Sequence, residues 1–322
     1  MQIDEILEAD KRLNNKKRIT PLLNSSFLDE IADRKIFIKA ECLQHTGSFK
    51  FRGAFSAISA IPIEKRKKGV IAYSSGNHAQ GVALAAKIHK IHATIIMPED
   101  APEIKINNTR DLGAEVILYD RLNESREKIG ERISEERLLS LIPPYDHTDV
   151  IAGQGTIGLE IASQADENGI EKADVLVCCG GGGLTSGIAV ALSNLMPNFV
   201  TRPVEPEGFD DVVRSLKSGE RQTNDKISGG LCDAIITPTP GKLTFPLMQK
   251  YCGEGIVVTD DEVMKAIALA FTRLRIVVEP GGAVALAAAL FHTKRYDNKT
   301  VIAVVSGGNI DPDVFRKAIK PI

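Results

Sequence analysis

Lys50 stands in Thr46-Gly47-Ser48-Phe49-Lys50-Phe51-Arg52-Gly53, where small polar residues give way to a helical apolar pattern. Two flanking phenylalanines disfavour a solvated ammonium. Partial burial lowers a lysine pKa and leaves a neutral amine able to form a Schiff base with an aldehyde. Alone, the same residues better suit a surface lysine whose stem lies on apolar neighbours. Other residues must decide.

Three further constellations follow runs with strand character. After Ala173 to Cys179 come Gly180-Gly181-Gly182-Gly183 and the helix-like Leu184-Thr185-Ser186-Gly187. Strand, glycines and helix in that order let backbone N–H groups close around a phosphate, although a plain tight turn uses the same residues. No P-loop lysine is present. Glu205 comes about 20 residues on, but no strand clearly leads to it, which argues against a dinucleotide site. The run Gly69 to Tyr73 ends in Ser74-Ser75-Gly76-Asn77-His78-Ala79-Gln80-Gly81, whose N–H groups and hydroxyls could hold a carboxylate or merely cap a helix. Val301 to Val305 runs into Ser306-Gly307-Gly308-Asn309, which adds a hydroxyl at another strand end. An aldehyde-binding lysine, an anion cradle, a carboxylate loop and a hydroxyl make up the inventory for pyridoxal phosphate acting on an amino acid.

The elements that must position these groups alternate. Strands are predicted at Ile36 to Glu41, Val70 to Ser74, Ala93 to Met97, Glu115 to Tyr119, Val175 to Cys179, Ile256 to Thr259 and Val301 to Val305. Helices are predicted at Asn77 to His89, Leu122 to Leu138, Leu184 to Leu195, Asp260 to Leu274 and Pro280 to Phe291. Such alternation gives parallel sheets covered by helices, with ligands beyond the strands' carboxyl ends. The fold class is α/β, as two three-layer αβα domains. Residues 68–147 are expected to form a small substrate-carboxylate domain, and 1–67 with 148–322 a large cofactor domain. The connector is Ile142-Pro143-Pro144-Tyr145-Asp146-His147.

The chain's 322 residues are 43% hydrophobic and 25% charged, enough for two domains, and a net charge of -2 gives no reason to expect nucleic acid or an anionic membrane. Met1 to Glu5 has no signal-peptide character, and no apolar run is long enough to span a membrane, so a cytoplasmic protein is expected. Five cysteines without a Cys-x-x-Cys pair suggest neither disulfides nor zinc.

Ser48 to Ala54, Ser74 to Gly81, Gly180 to Leu184 and Ser306 to Asn309, with Val150 to Thr156 and Val278 to Ala283, resemble the signature blocks of the serine/threonine dehydratase and serine racemase family. The resemblance implies the tryptophan-synthase-β fold (pyridoxal-phosphate fold type II), with the cofactor in the cleft between domains. It implies that Lys50 holds the cofactor as an internal aldimine and then acts as base at Cα. Phe49 would pack on the ring, Asn77 bond its hydroxyl, Gly180, Gly181, Gly182, Gly183 and Leu184 bind phosphate, and Ser306 face the pyridine nitrogen. Glu279 joins this cofactor set. Ser74, Ser75, Gly76, Asn77 and His78 would hold the substrate carboxylate.

The expected reaction is β-elimination from a small β-hydroxy amino acid, L-threonine or L-serine first, to a 2-oxoacid and ammonia. Ser75 matches the second catalytic residue of the racemases, and Arg126 an arginine near the substrate side chain that would suit a β-hydroxyaspartate. Serine racemase and 3-hydroxyaspartate dehydratase therefore stay open as alternatives. Arg126 also fits an exposed helix network, and His147 is a weaker candidate for the same role. Leu231-Cys232-Asp233-Ala234 and Thr239 to Pro246 instead resemble bacterial threonine/serine dehydratases. Glu205 to Asp211 resembles the family's cation loop, with carboxylates from Glu205 and Asp211 and the carbonyl of Phe209 on Mg²⁺, Ca²⁺ or Mn²⁺. The resemblance also implies a homodimer. No amino-acid-sensing domain is expected after Asn309.

Overall fold

The computed structural model describes residues 1–320 except 75, 102, 121, 122, 227 and 297. Its strands are β1 (Leu22–Asn24), β2 (Lys35–Ala40), β3 (Val70–Tyr73), β4 (Ala93–Pro98), β5 (Glu115–Tyr119), β6 (Ser140–Leu141), β7 (Ala173–Cys178), β8 (Phe199–Pro206), β9 (Ile256–Val258) and β10 (Thr300–Val305). They form a six-stranded sheet ordered β1-β2-β10-β7-β8-β9 and a four-stranded sheet ordered β5-β4-β3-β6. Among the described strand pairs only the edge pair β1–β2 is antiparallel.

Successive residues of these strands enter different cores, which explains their unbroken apolar runs. In the large sheet Leu176, Val301 and Ala303 face the helix Pro280–Phe291, while Val175, Val177 and Ile302 face Ile157, Leu184 and Ile188 on the other side. In the small sheet Val70, Ala72 and Ile95 pack with helix Asn77–His89, and Ile71 and Ile96 pack with Ile133. Each sheet is thus the middle of three layers.

All seven expected strands form, within two residues of the expected bounds. β8 is a correction: a strand does lead to Glu205. Its Pro203, Pro206, Arg202 and Glu205 hide it from a hydrophobic-run reading, yet it lies between β7 and β9, with Glu205 buried and Arg202 paired to Asp174 at 2.6 Å. The helix expected over Leu122 to Leu138 runs Arg126–Arg137, and Leu122 lies outside the described residues. The helix expected over Asp260 to Leu274 ends at Leu269, followed by a π-helical turn over Ala270–Leu274. Among the described residues, no helix is long and apolar enough to cross a membrane.

The helix Lys50–Ala60 lies at the seam between the sheets. Phe51, Phe55 and Ile58 join the small sheet's core, whereas the preceding Phe49 joins a core of the large one. Its first turn is tied down by Arg52, which is fully buried and bonds Glu41 (2.8 and 2.7 Å) and Glu160 (2.7 and 3.0 Å). Lys39, also fully buried, donates to Glu160 at 2.7 Å. Such fork-like pairs fix orientation as well as charge.

Candidate active site

β10 ends at Val305, and Ser306 is tied to the residue before the lysine by a 3.1 Å bond from Phe49 N–H to the Ser306 carbonyl. Lys50 then opens its helix with the ammonium 5.1 Å over the Phe49 ring and 2.8 Å from the Pro144 carbonyl. Burial pushes its pKa down to about 8, against the pull of Glu279. The connector noted in the sequence therefore supplies an anchor. Its Ile142 carbonyl also takes a bond from His78 at 2.8 Å. A carbonyl only accepts, so Nε2 of His78 carries the hydrogen and Nδ1 presents a buried lone pair without a partner. Burial, then the Lys50 charge, push His78 down to about 3.

The glycines follow β7 and lead into helix Gly183–Leu195. A Cβ on Gly180 would stand 2.5 Å from the Ile235 carbonyl, one on Gly181 would strike the Tyr145 ring, and Gly182 is left-handed at φ +89°. Only glycine fits this path. The loop is held from outside, where Thr244 donates to the Gly181 carbonyl at 2.6 Å. On the cleft side the helix opens with its N–H groups and with the Thr185 hydroxyl, which is buried without a partner. These unpaired donors at the positive end of a helix dipole suit a phosphate.

Asn77 begins helix Asn77–His89, and its Nδ2 donates to Glu279 Oε1 at 2.6 Å while Oδ1 accepts from Asn309 at 2.7 Å. Burial pushes Glu279 up to about 7, opposed chiefly by the Asn77 bond. A Cβ on Gly307 would collide with the Glu279 carboxylate, so glycine leaves room for that group.

One cavity is lined by Phe49, Lys50, Ser74, Gly76, Asn77, His78, Arg126, Gly180 to Gly183, Leu184, Glu279 and Ser306. The structure brings these expected residues together. Ser75 lies outside the described residues. Arg126 is not confined to an exposed helix network: it pairs with Glu127 at 2.8 Å, but its guanidinium lies 5.4 Å over the cavity-lining Tyr73. His147 stands at the N-cap position of helix Thr148–Glu167, makes no side-chain capping bond and does not line the cavity. Lys105, Asp233, Thr185 and Tyr145 line it too; Lys105 lies in no motif of the sequence, and the other three lie in noted stretches that assigned their side chains no role.

Glu205 and Asp211 sit elsewhere, at the end of β8 and the start of helix Asp211–Ser218. Glu205 accepts from the N–H groups of Val212 (3.1 Å) and Val213 (2.7 Å), and Asn224 donates to Asp211 Oδ1 at 2.6 Å. Asp211 Oδ2 is buried without a partner. Burial raises both carboxyls, Asp211 to about 6, and the Asp211 charge adds to the rise at Glu205. Two buried carboxylates with a spare oxygen fit a hard cation. Among the described residues no three His, Cys, Asp or Glu side chains form a metal cluster, so remaining ligands would have to be carbonyls or water. The Phe209 ring packs against Gly230.

The profile of the family described as pyridoxal-phosphate dependent enzyme matches residues 13–307. L-threo-3-hydroxyaspartate ammonia-lyase of a Pseudomonas species is 40% identical over 317 residues, covering 98% of both chains. L-threonine ammonia-lyase of Thermotoga maritima is 41% identical over 319 residues, 98% of this chain and 78% of that protein. The structure of maize serine racemase superposes with a TM-score of 0.92 at 36% identity, covering 99% of this chain and 96% of that one. A buried-amine lysine facing a glycine cradle and a strand-end serine agrees with these likenesses, and the chain belongs to the pyridoxal-phosphate dependent enzymes, with their tryptophan-synthase-β type of fold.

Proposed function

We propose that the protein removes water from small β-hydroxy amino acids, L-threonine and L-serine first, to yield a 2-oxoacid and ammonia. The observation that carries this is Lys50, whose pKa of about 8 leaves part of its amine neutral near neutral pH, in one cavity with the glycine loop and Ser306. Pyridoxal phosphate fits these residues. Lys50 would hold its aldehyde carbon, Phe49 and Asn77 its ring, Gly180 to Leu184 with Thr185 its phosphate, Ser306 its ring nitrogen, and Glu279 would orient Asn77. When bound, the cofactor withdraws electrons from Cα and so makes the α-proton acidic. The loop 74–78 would hold the substrate carboxylate at the start of helix Asn77–His89. Lys50 would take the proton at Cα, and the β-hydroxyl would leave as water. The released enamine tautomerises and hydrolyses to oxoacid and ammonia.

Arg126 on the cavity wall favours a second reading, in which the side chain carries a carboxylate, as in 3-hydroxyaspartate. Racemisation would require Ser75 as acid and base on the opposite face. The test is Lys50→Ala assayed for oxoacid, for substrate chirality and for the visible absorbance of bound cofactor. Loss of all activity and of that absorbance is expected. Oxoacid formation by the variant, or inversion without oxoacid by the unsubstituted enzyme, overturns the reading.

We further propose Mg²⁺, Ca²⁺ or Mn²⁺ at Glu205, Asp211 and the Phe209 carbonyl, residues 68–147 as the small substrate-carboxylate domain, and a cytoplasmic homodimer. Five unbridged cysteines suit a reducing compartment. The exposed Phe27, Ile31 and Phe271 offer apolar area for a second copy.

A further inference from the structure

Lys105 and Asp233 form an ion pair that the reaction described above does not use. Lys105 lies on helix Glu103–Asp111, which follows β4 of the small sheet. Asp233 opens the 3-10 turn Asp233–Ile235, whose Ile235 packs in a core of the large sheet. Their contact, Nζ to Oδ2 at 3.2 Å, therefore crosses the cleft, and both residues line the cavity of Lys50, Ser74 and Ser306. The pair is unequal. The Lys105 side chain is 18% exposed and that of Asp233 63%.

An ion pair with so wet a carboxylate is weak, because water screens it. A carboxylate brought into the cleft by a bound ligand would be shielded from water by the cavity walls, where a charge-assisted hydrogen bond is stronger. Asp233 is thus a replaceable partner. Arg126, another cation of the wall, bonds Glu127 at 2.8 Å and lies over Tyr73, and Lys105 would act beside it.

We infer that Lys105 is a specificity-determining residue: it receives an anionic group on the substrate side chain, and Asp233 occupies it when the side chain has none. This rests on the amino-acid elimination proposed above. With a neutral side chain such as threonine's, Asp233 cancels the lysine charge. With a second carboxylate, as in 3-hydroxyaspartate, the substrate displaces Asp233, whose charge then opposes binding.

The experiment compares kcat and KM for L-threonine and L-threo-3-hydroxyaspartate in the unsubstituted holoenzyme and in Lys105→Met, Lys105→Arg and Asp233→Asn. The readout is the ratio of kcat/KM for hydroxyaspartate to that for threonine. Expected in Lys105→Met is a fall of about tenfold or more, mainly through KM, partly restored in Lys105→Arg. In Asp233→Asn the ratio should rise. Because Asp233 is largely exposed, that variant reads the idea even if Lys105→Met folds poorly. Equal losses on both substrates in Lys105→Met, or a lower ratio in Asp233→Asn, overturn the inference alone. No oxoacid from either substrate with the unsubstituted enzyme overturns the elimination itself, and the inference with it.

Discussion

Asn77 and Glu279, 202 residues apart in sequence, meet at 2.6 Å, and this bond ties the first turn of a helix behind the small sheet to the start of one behind the large sheet. It links the elements of the two sheets directly at the cavity. Glu279 pays for its burial with a carboxyl that holds its proton up to about pH 7.

That shift has a sign. A carboxyl raised from 4.5 to about 7 binds its proton in the native state over a window where the unfolded chain has lost it. Stability therefore falls as pH rises through that window, by up to about 3 kcal/mol. Glu279→Gln should remove this slope in the cofactor-free protein. Urea unfolding at pH 5 and pH 8, wild type against variant, checks it; parallel pH dependences would refute it.

His78 acts in the opposite direction. Its pKa falls from 6.5 to about 3, so below pH 6.5 the unfolded state takes up a proton that the native state refuses. Stability is lost as pH drops, by about 2 kcal/mol at pH 5. His78→Gln should be less sensitive to acid than wild type, whatever its stability at pH 7.5. Unfolding free energies at the two pH values decide it.

Arg52 is held by Glu41 and Glu160, all three buried. Arg52→Met should cost about 3–5 kcal/mol, because it leaves two carboxylates facing each other without their shared cation. Adding Glu41→Gln should recover part of that loss. Chemical denaturation of the single and double variants measures both, and additivity of the two changes would count against the network.

The carboxylates of Glu205 and Asp211 should respond to divalent ions. Removing cations with chelator should lower the melting temperature and added Mg²⁺ should restore it, while Asp211→Asn should abolish the response. Protons compete for Asp211, raised to about 6, so the effect should weaken as pH falls through that value. A chelator-independent melting temperature in wild type would refute the cation.

Much of this site was legible in the chain because its parts are short and local. A strand, four glycines and a helix form an anion cradle wherever they occur in that order, and a lysine between phenylalanines is predisposed to burial. The alternation of apolar runs likewise shows as two cores per sheet, since a buried parallel strand has no polar face to display. β8 was hidden because its polar residues are satisfied inside the fold: Arg202 by Asp174 and Glu205 by backbone N–H groups.

The residue types in Ser48 to Gly53, Ser74 to Gly81, Gly180 to Gly183 and Ser306 to Asn309 by themselves pointed to the cofactor chemistry, and the alternation of strand and helix runs to the α/β class. Only the tertiary structure decided which groups share the cleft. Lys105 has ordinary surroundings along the chain, Asp233 belongs to a block read only as a family likeness, and Pro144 and Tyr145 read as a connector. Their roles come from two sheets closing on one cavity, a juxtaposition set by long-range packing and invisible in local spacing. Lys50 shows both sides: its neighbours in sequence announce burial, while its pKa near 8 is set by burial behind the walls that the distant strands bring around it, against the pull of Glu279.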